Sequence, residues 1–77
     1  MKIINPNTTQ AMTDGILKAA LSAASPDTEI TAVSPDRGPV SIECWHDEVF
    51  AATGVVEEVH KGETLEGGYD AYITACY

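Results

Sequence analysis

The residues of this 77-residue chain best equipped for chemistry are two cysteines, Cys44 and Cys76, two histidines, His46 and His60, and the polar run Asn5-Pro6-Asn7-Thr8-Thr9. Cys76 closes the run Ala71-Tyr72-Ile73-Thr74-Ala75-Cys76. Its thiol therefore stands at the carboxyl end of a strand, where a helix N-terminus would normally follow and draw it toward thiolate. A cysteine in a strand is more often a small buried hydrophobe, but this position favours an acid, base or nucleophile. Cys44 opens a helical stretch, and there the buried-hydrophobe reading is preferred. Asn7, Thr8 and Thr9 are helix-capping residue types, and one of them can cap while its neighbours face a ligand. The histidines lack the i, i+4 spacing of a metal pair, and the cysteines lack CxxC spacing, so no metal site is expected. In a reducing compartment both thiols are expected to be free.

The elements that must position these groups follow from the pattern. Lys2-Ile3-Ile4-Asn5, halted by Pro6, reads as a buried parallel strand. A helix starts at Asn7–Gln10, carries Met12, Ile16, Leu17, Ala20, Leu21 and Ala24 at helical spacing, and stops before Ser25-Pro26-Asp27. Thr28–Val33 alternates as a second strand, and Ser34–Val40, with two prolines and a glycine, is a loop. Ile42, Trp45, Val49, Ala52, Val56 and Val59 then form the apolar stripe of a second helical region, which Gly54 could split or bend. Asp47-Glu48 and Glu57-Glu58 read as its wet face. Trp45 and Phe50 read as core or interface residues. Gly67-Gly68 ends this helix and leads to the third strand, Ala71–Cys76.

The order β-α-β-α-β predicts an α/β fold: half of a doubly wound parallel sheet, a flavodoxin-like lobe with strand order 2-1-3 and one helix on each face. Ligands of such sheets bind beyond the carboxyl ends of the strands. Asn5–Thr9, Ser34–Ser41 and Cys76-Tyr77 converge there, with the N–H groups of the first helix as a further source of positive potential.

Size and charge bound the function. A chain this short buries only about 60% of its unfolded surface, so residues 1–77 are expected to form a single partial lobe rather than two lobes around a cleft. Four Lys and Arg stand against 12 Asp and Glu, a net charge of −8, which argues against nucleic acid and against an anionic membrane surface. With no signal-like segment or membrane-length run, the default is a soluble cytoplasmic chain. The apolar third strand would be an unprotected edge, so a truncated chain or a homo-oligomer is expected.

Three blocks taken together go further: Asn5-Pro6-Asn7-Thr8-Thr9, then Gly38-Pro39-Val40-Ser41-Ile42-Glu43 with Asp47-Glu48, then Asp70-Ala71-Tyr72-Ile73-Thr74-Ala75-Cys76. In this order and spacing they resemble the N-terminal half of the aspartate/glutamate/hydantoin racemase family, and within it the hydantoin and allantoin racemases. The resemblance implies a racemase that needs no cofactor, built of two similar lobes that each place one cysteine on opposite sides of a small-molecule substrate's stereocentre. Cys76 matches the first of these cysteines. It further implies that Asn7 contacts a substrate carbonyl and that the Pro39–Ile42 segment, through Ser41 and Ile42, lines the pocket. The second lobe and its cysteine are not among these 77 residues, so the isolated chain is expected to be inactive. Flavodoxin-like or receiver-like binding modules fit less well: the first strand ends in Asn5-Pro6-Asn7 rather than acidic residues, and no glycine lies between Asn7 and Met12. A self-associating module, and the related maleate isomerases and arylmalonate decarboxylases, are the remaining alternatives.

Overall fold

The computed structural model describes residues 1–75, with β1 (Lys2–Ile4), α1 (Gln10–Ala23), β2 (Thr31–Val33), α2 (Trp45–Thr64) and β3 (Tyr72–Thr74) in chain order. The strands form one parallel sheet in the order β2-β1-β3, with Ile3 opposite Ala32 on one side and Ile73 on the other. The expected α/β topology is therefore the observed one. Two ladder bonds extend the pairing past the strand ends, from Asn5 N–H to the Val33 carbonyl and from Ala75 N–H to the Ile4 carbonyl, both 2.9 Å.

Side chains alternate across a strand, so the partners of β1 show which helix covers which face. Lys2 reaches Glu58 of α2, which puts Lys2 and Ile4 on the α2 side. Asn5 donates to Thr13 of α1, which puts Ile3 and Asn5 on the α1 side. One helix thus lies on each face, as right-handed crossovers in a 2-1-3 sheet require.

The apolar core of the described residues is small: Ile3, Ile4 and Ala51. The inward face of α2 is Ala51, Gly54, Glu58 and Gly62, and this corrects the sequence reading. The apolar stripe of the sequence is turned outward, with Trp45 84%, Val49 69% and Val56 68% exposed, while Ile42 precedes the helix. Small residues win because they let the helix approach closely. A Cβ on Gly54 would lie 2.8 Å from the Pro35 Cβ, and one on Gly62 would lie 2.6 Å from the Tyr72 hydroxyl. Gly54 accordingly does not split α2 but seats it. β2 is also shorter than the run from Thr28, because Thr28 N–H closes a turn onto the Ser25 carbonyl at 3.1 Å.

A second correction concerns charge. Glu58 is buried rather than on the wet face, and so is Lys2. The Lys2 Nζ donates to the Glu58 carbonyl at 2.7 Å and lies 3.6 Å from Glu58 Oε1 and 3.2 Å from Glu66 Oε1. A fully buried ammonium requires such a set of acceptors, and it draws α2 and the turn after it onto the amino end of β1. The Tyr69 hydroxyl donates to Glu66 Oε1 at 2.7 Å, and this bond, with Lys2 beside it, holds the Glu66 carboxyl below its ordinary range. The Tyr72 hydroxyl is buried without a hydrogen-bond partner among the described residues, and burial pushes its pKa up to about 12.

Three variants test this packing and charge. Gly54→Ala should destabilise by about 1–2 kcal/mol in urea unfolding, because overpacking against Pro35 outweighs the gain in helix propensity. Gly15→Ala, in α1 with nothing within 4 Å of the new methyl, should instead stabilise by roughly 0.5–1 kcal/mol. The stability supplied by Glu66 is complete above the ordinary carboxylate pKa and drains away as pH falls through its depressed folded value. Glu66→Gln should flatten that acid limb when urea midpoints are compared across acidic pH.

Candidate functional site

Where β1 ends, the chain passes through Asn5-Pro6-Asn7, and both asparagines are buried. A buried carboxamide has to find partners. Asn5 Nδ2 donates to Asn7 Oδ1 at 3.0 Å and to Thr13 Oγ1 at 3.1 Å, and its Oδ1 accepts from Asn7 N–H at 3.3 Å. Thr13 is the buried residue of α1, and its hydroxyl also pairs with that of Ser34, just past β2. One polar network thereby joins β1, α1 and the end of β2.

Asn7 Oδ1 accepts a second bond, from Thr9 N–H at 3.0 Å, in a turn that leads into α1. A backbone N–H can only donate, so the carboxamide oxygen has to face it. The amide nitrogen therefore points the other way, 3.6 Å from the Met12 sulfur, a weak acceptor. This leaves Asn7 Nδ2 with donor capacity to offer. The β2–α2 loop is stitched across the start of α1 by two bonds: Thr8 N–H to the Pro39 carbonyl at 3.0 Å, and the Thr9 hydroxyl to the Val40 carbonyl at 2.7 Å. These bonds bring Ser41 and Ile42 to the same edge as Asn7.

The result is a cleft of about 370 Å³ lined by Asn5, Asn7, Met12, Gly15, Ile16, Ser41, Ile42 and Ala75. Three residues singled out from sequence, Asn7, Ser41 and Ile42, share it. The fourth, Cys76, lies outside the described residues; Ala75, which precedes it in sequence, lines the cleft. The lining carries no charged side chain among the described residues, and no group of three or more His, Cys, Asp or Glu is placed to hold a metal.

Other expectations change. The Thr8 and Thr9 amides are spent on Pro39 and Asn7, so a side-chain carboxamide, rather than those backbone groups, presents the donor. Cys44 is exposed, not buried, because α2 meets the sheet only from Ala51 onward and its first turn projects beyond. Trp45 and Phe50 are exposed too, which removes the core half of the core-or-interface reading. His46 and His60 are exposed, with His46 packed edge-on against Phe50 at 4.8 Å between ring centres. Thr13 was missed. Its signal was a hydroxyl at i−3, i−4 and i−7 from Ile16, Leu17 and Ala20, a polar group on the apolar side of a helix.

A polar donor beside a cleft with no charged side chain among its described lining stands at the carboxyl edge of a parallel sheet, the edge where α/β proteins bind small ligands. Residues 2–77 match the family model described as Asp/Glu/Hydantoin racemase. Over 77 residues, all of this chain and 30% of the relative, it is 57% identical to a hydantoin racemase of Pseudomonas sp. (strain NS671). A hydantoin racemase of Paenarthrobacter aurescens is 40% identical over 75 residues, 97% of this chain and 31% of the relative. Among solved structures, an allantoin racemase from Klebsiella pneumoniae superposes with a TM-score of 0.90 at 47% identity, over 96% of this chain and 29% of that one. One from Pseudomonas fluorescens gives 0.87 at 35% identity, over 100% and 32%. The chain belongs to the Asp/Glu/hydantoin racemase family. It spans about 30% of the length of the hydantoin racemases it matches.

The network has a measurable cost if opened. Asn5→Ala leaves Asn7 N–H and Thr13 Oγ1 short of a buried partner and should destabilise by about 2–3 kcal/mol. Gln10→Ala, which removes an exposed bond to Asp14, should cost less than about 0.5 kcal/mol in the same urea titration.

Proposed function

We propose that this chain forms one side of the active site of a racemase that moves the α-proton of a hydantoin-type substrate. The observation that carries the substrate class is the uncharged lining of the cleft. A free amino acid would bring an ammonium and a carboxylate, each needing an ionic partner once water is excluded. A hydantoin ring brings carbonyls and N–H groups, which suit the Asn7 carboxamide and the Ser41 hydroxyl. Met12, Ile16 and Ile42 offer apolar wall to its 5-substituent. The names of the relatives, hydantoin racemase and allantoin racemase, support the same class.

In this reading the Cys76 thiolate takes the proton from one face of the stereocentre, so that a C–H bond breaks as an S–H bond forms. The electron pair passes into the adjacent ring carbonyl, giving an enolate whose oxygen accepts a hydrogen bond from Asn7 Nδ2. A second thiol, supplied from outside these 77 residues, returns a proton to the opposite face. The ring carbonyl itself delocalises the charge, so no cofactor is invoked. The 77-residue chain alone carries one thiol of the pair and should not racemise.

The test is solvent deuterium incorporation at Cα of a 5-substituted L- or D-hydantoin, followed by NMR. It compares the 77-residue chain with a chimera in which these residues replace the matching ones of the Pseudomonas sp. hydantoin racemase. The chimera should exchange and invert, its Cys76→Ala variant should lose roughly 10²- to 10⁴-fold in rate, and the chain alone should do neither. A folded chimera inert toward both hydantoin and allantoin would overturn the substrate class. An undiminished Cys76→Ala chimera would overturn the assigned thiol.

A further inference from the structure

We propose that Thr13 is a positioning residue: acting through Asn5, it sets the Asn7 carboxamide with its NH₂ group toward the cleft. Asn7 is the group that touches substrate, and Thr13 never does. The kinetic half of the argument rests on the racemase reading above, whereas the structural half does not.

The geometry is directional. Turning the Asn7 carboxamide over would set its NH₂ against Thr9 N–H and Asn5 Nδ2, donors against donors, and both bonds now made by Asn7 Oδ1 would be lost. Turning Asn5 over would set its NH₂ against Asn7 N–H, which its Oδ1 now accepts. The two carboxamides therefore hold each other in one sense. What remains is the second proton on Asn5 Nδ2, and its acceptor is Thr13 Oγ1. The Thr13 hydroxyl can accept that bond and still pair with Ser34, so the chain of bonds is anchored on β2 as well.

Packing does not account for the hydroxyl. Thr13 is 1% exposed on the inward side of α1, where valine would fill the same space without a polar atom to satisfy. A buried hydroxyl there is useful only for the bonds it makes. Those bonds lead, through Asn5, to the side chain that lines the cleft with a donor to spare.

Asn5 and Asn7 are the two asparagines of the chain, so ¹⁵N-asparagine labelling isolates their two NH₂ groups by NMR. In the wild-type chain the Asn7 pair should be distinct from random coil. In Thr13→Val it should shift toward random coil while backbone amides elsewhere stay dispersed, and in Thr13→Ser it should stay in place. A folded Thr13→Val chain with an unmoved Asn7 pair overturns the proposal whatever the substrate. In the chimera, Thr13→Val should lower kcat roughly 10- to 100-fold while KM moves by less than about threefold, and Thr13→Ser should keep kcat within about threefold. Equal kcat in Thr13→Val and wild type, or losses in both variants that only follow their melting temperatures, overturns it. An inert wild-type chimera would count against the racemase reading, and the carboxamide signals would then decide the positioning alone.

Discussion

Where β1 runs out at the carboxyl edge of the sheet, the Asn5 carboxamide is sealed from water and has to satisfy three hydrogen bonds at once. In that low-dielectric setting an unmade bond costs more than a made bond gains. Asn5 therefore dictates where its neighbours stand: Asn7 has to fold back, Thr13 has to face inward, and α1 has to dock with its first turn over the strand end. Once Asn7 is held, its oxygen opens α1 and its nitrogen is left facing the cleft. The cleft is a consequence of satisfying one buried side chain.

The amino end of the same strand works by the same rule with charge in place of dipoles. Lys2 is fully buried, and it gathers the Glu58 carbonyl and carboxylate from α2 and the Glu66 carboxylate from the turn beyond. With an apolar core as small as Ile3, Ile4 and Ala51 among the described residues, hydrophobic burial holds the layers together but does little to choose their register. Two buried polar anchors, one at each end of the middle strand and on opposite faces, make that choice. One fastens α2, the other α1.

The division also separates structure from chemistry. The amino edge carries ion pairs made within the chain, whereas the carboxyl edge ends in a carboxamide donor whose only acceptor among the described residues is a thioether. Parallel sheets direct strand ends and helix starts to that edge, which is why ligands gather there. A lobe of this kind presents its groups to a substrate from one side. A 1,1-proton transfer needs groups on both sides of a planar intermediate, which accords with the proposal that the second thiol comes from elsewhere.

Much of this was legible in the residues. Pro6, Ser25-Pro26 and Gly67-Gly68 punctuate the chain by local backbone rules, and both glycines do adopt positive φ, so the β-α-β-α-β order and the 2-1-3 sheet followed. Asn7 and Ser41 could be placed at one edge because topology carries strand ends and the loops after them there, and Ile42 through the family resemblance. Three things could not be read: the inward face of α2, the burial of Lys2 with Glu58, and the role of Thr13. Periodicity reports that a helix has an apolar side, but close approach belongs to whichever side is smallest, and Gly54 and Gly62 are recognisable as contact points only beside Pro35 and Tyr72. A polar side chain is buried only when its partner arrives, and the partner of Lys2 is 56 residues away in sequence. Local order was written in the sequence; which polar groups could leave water was decided only when the tertiary structure brought their partners within bonding distance.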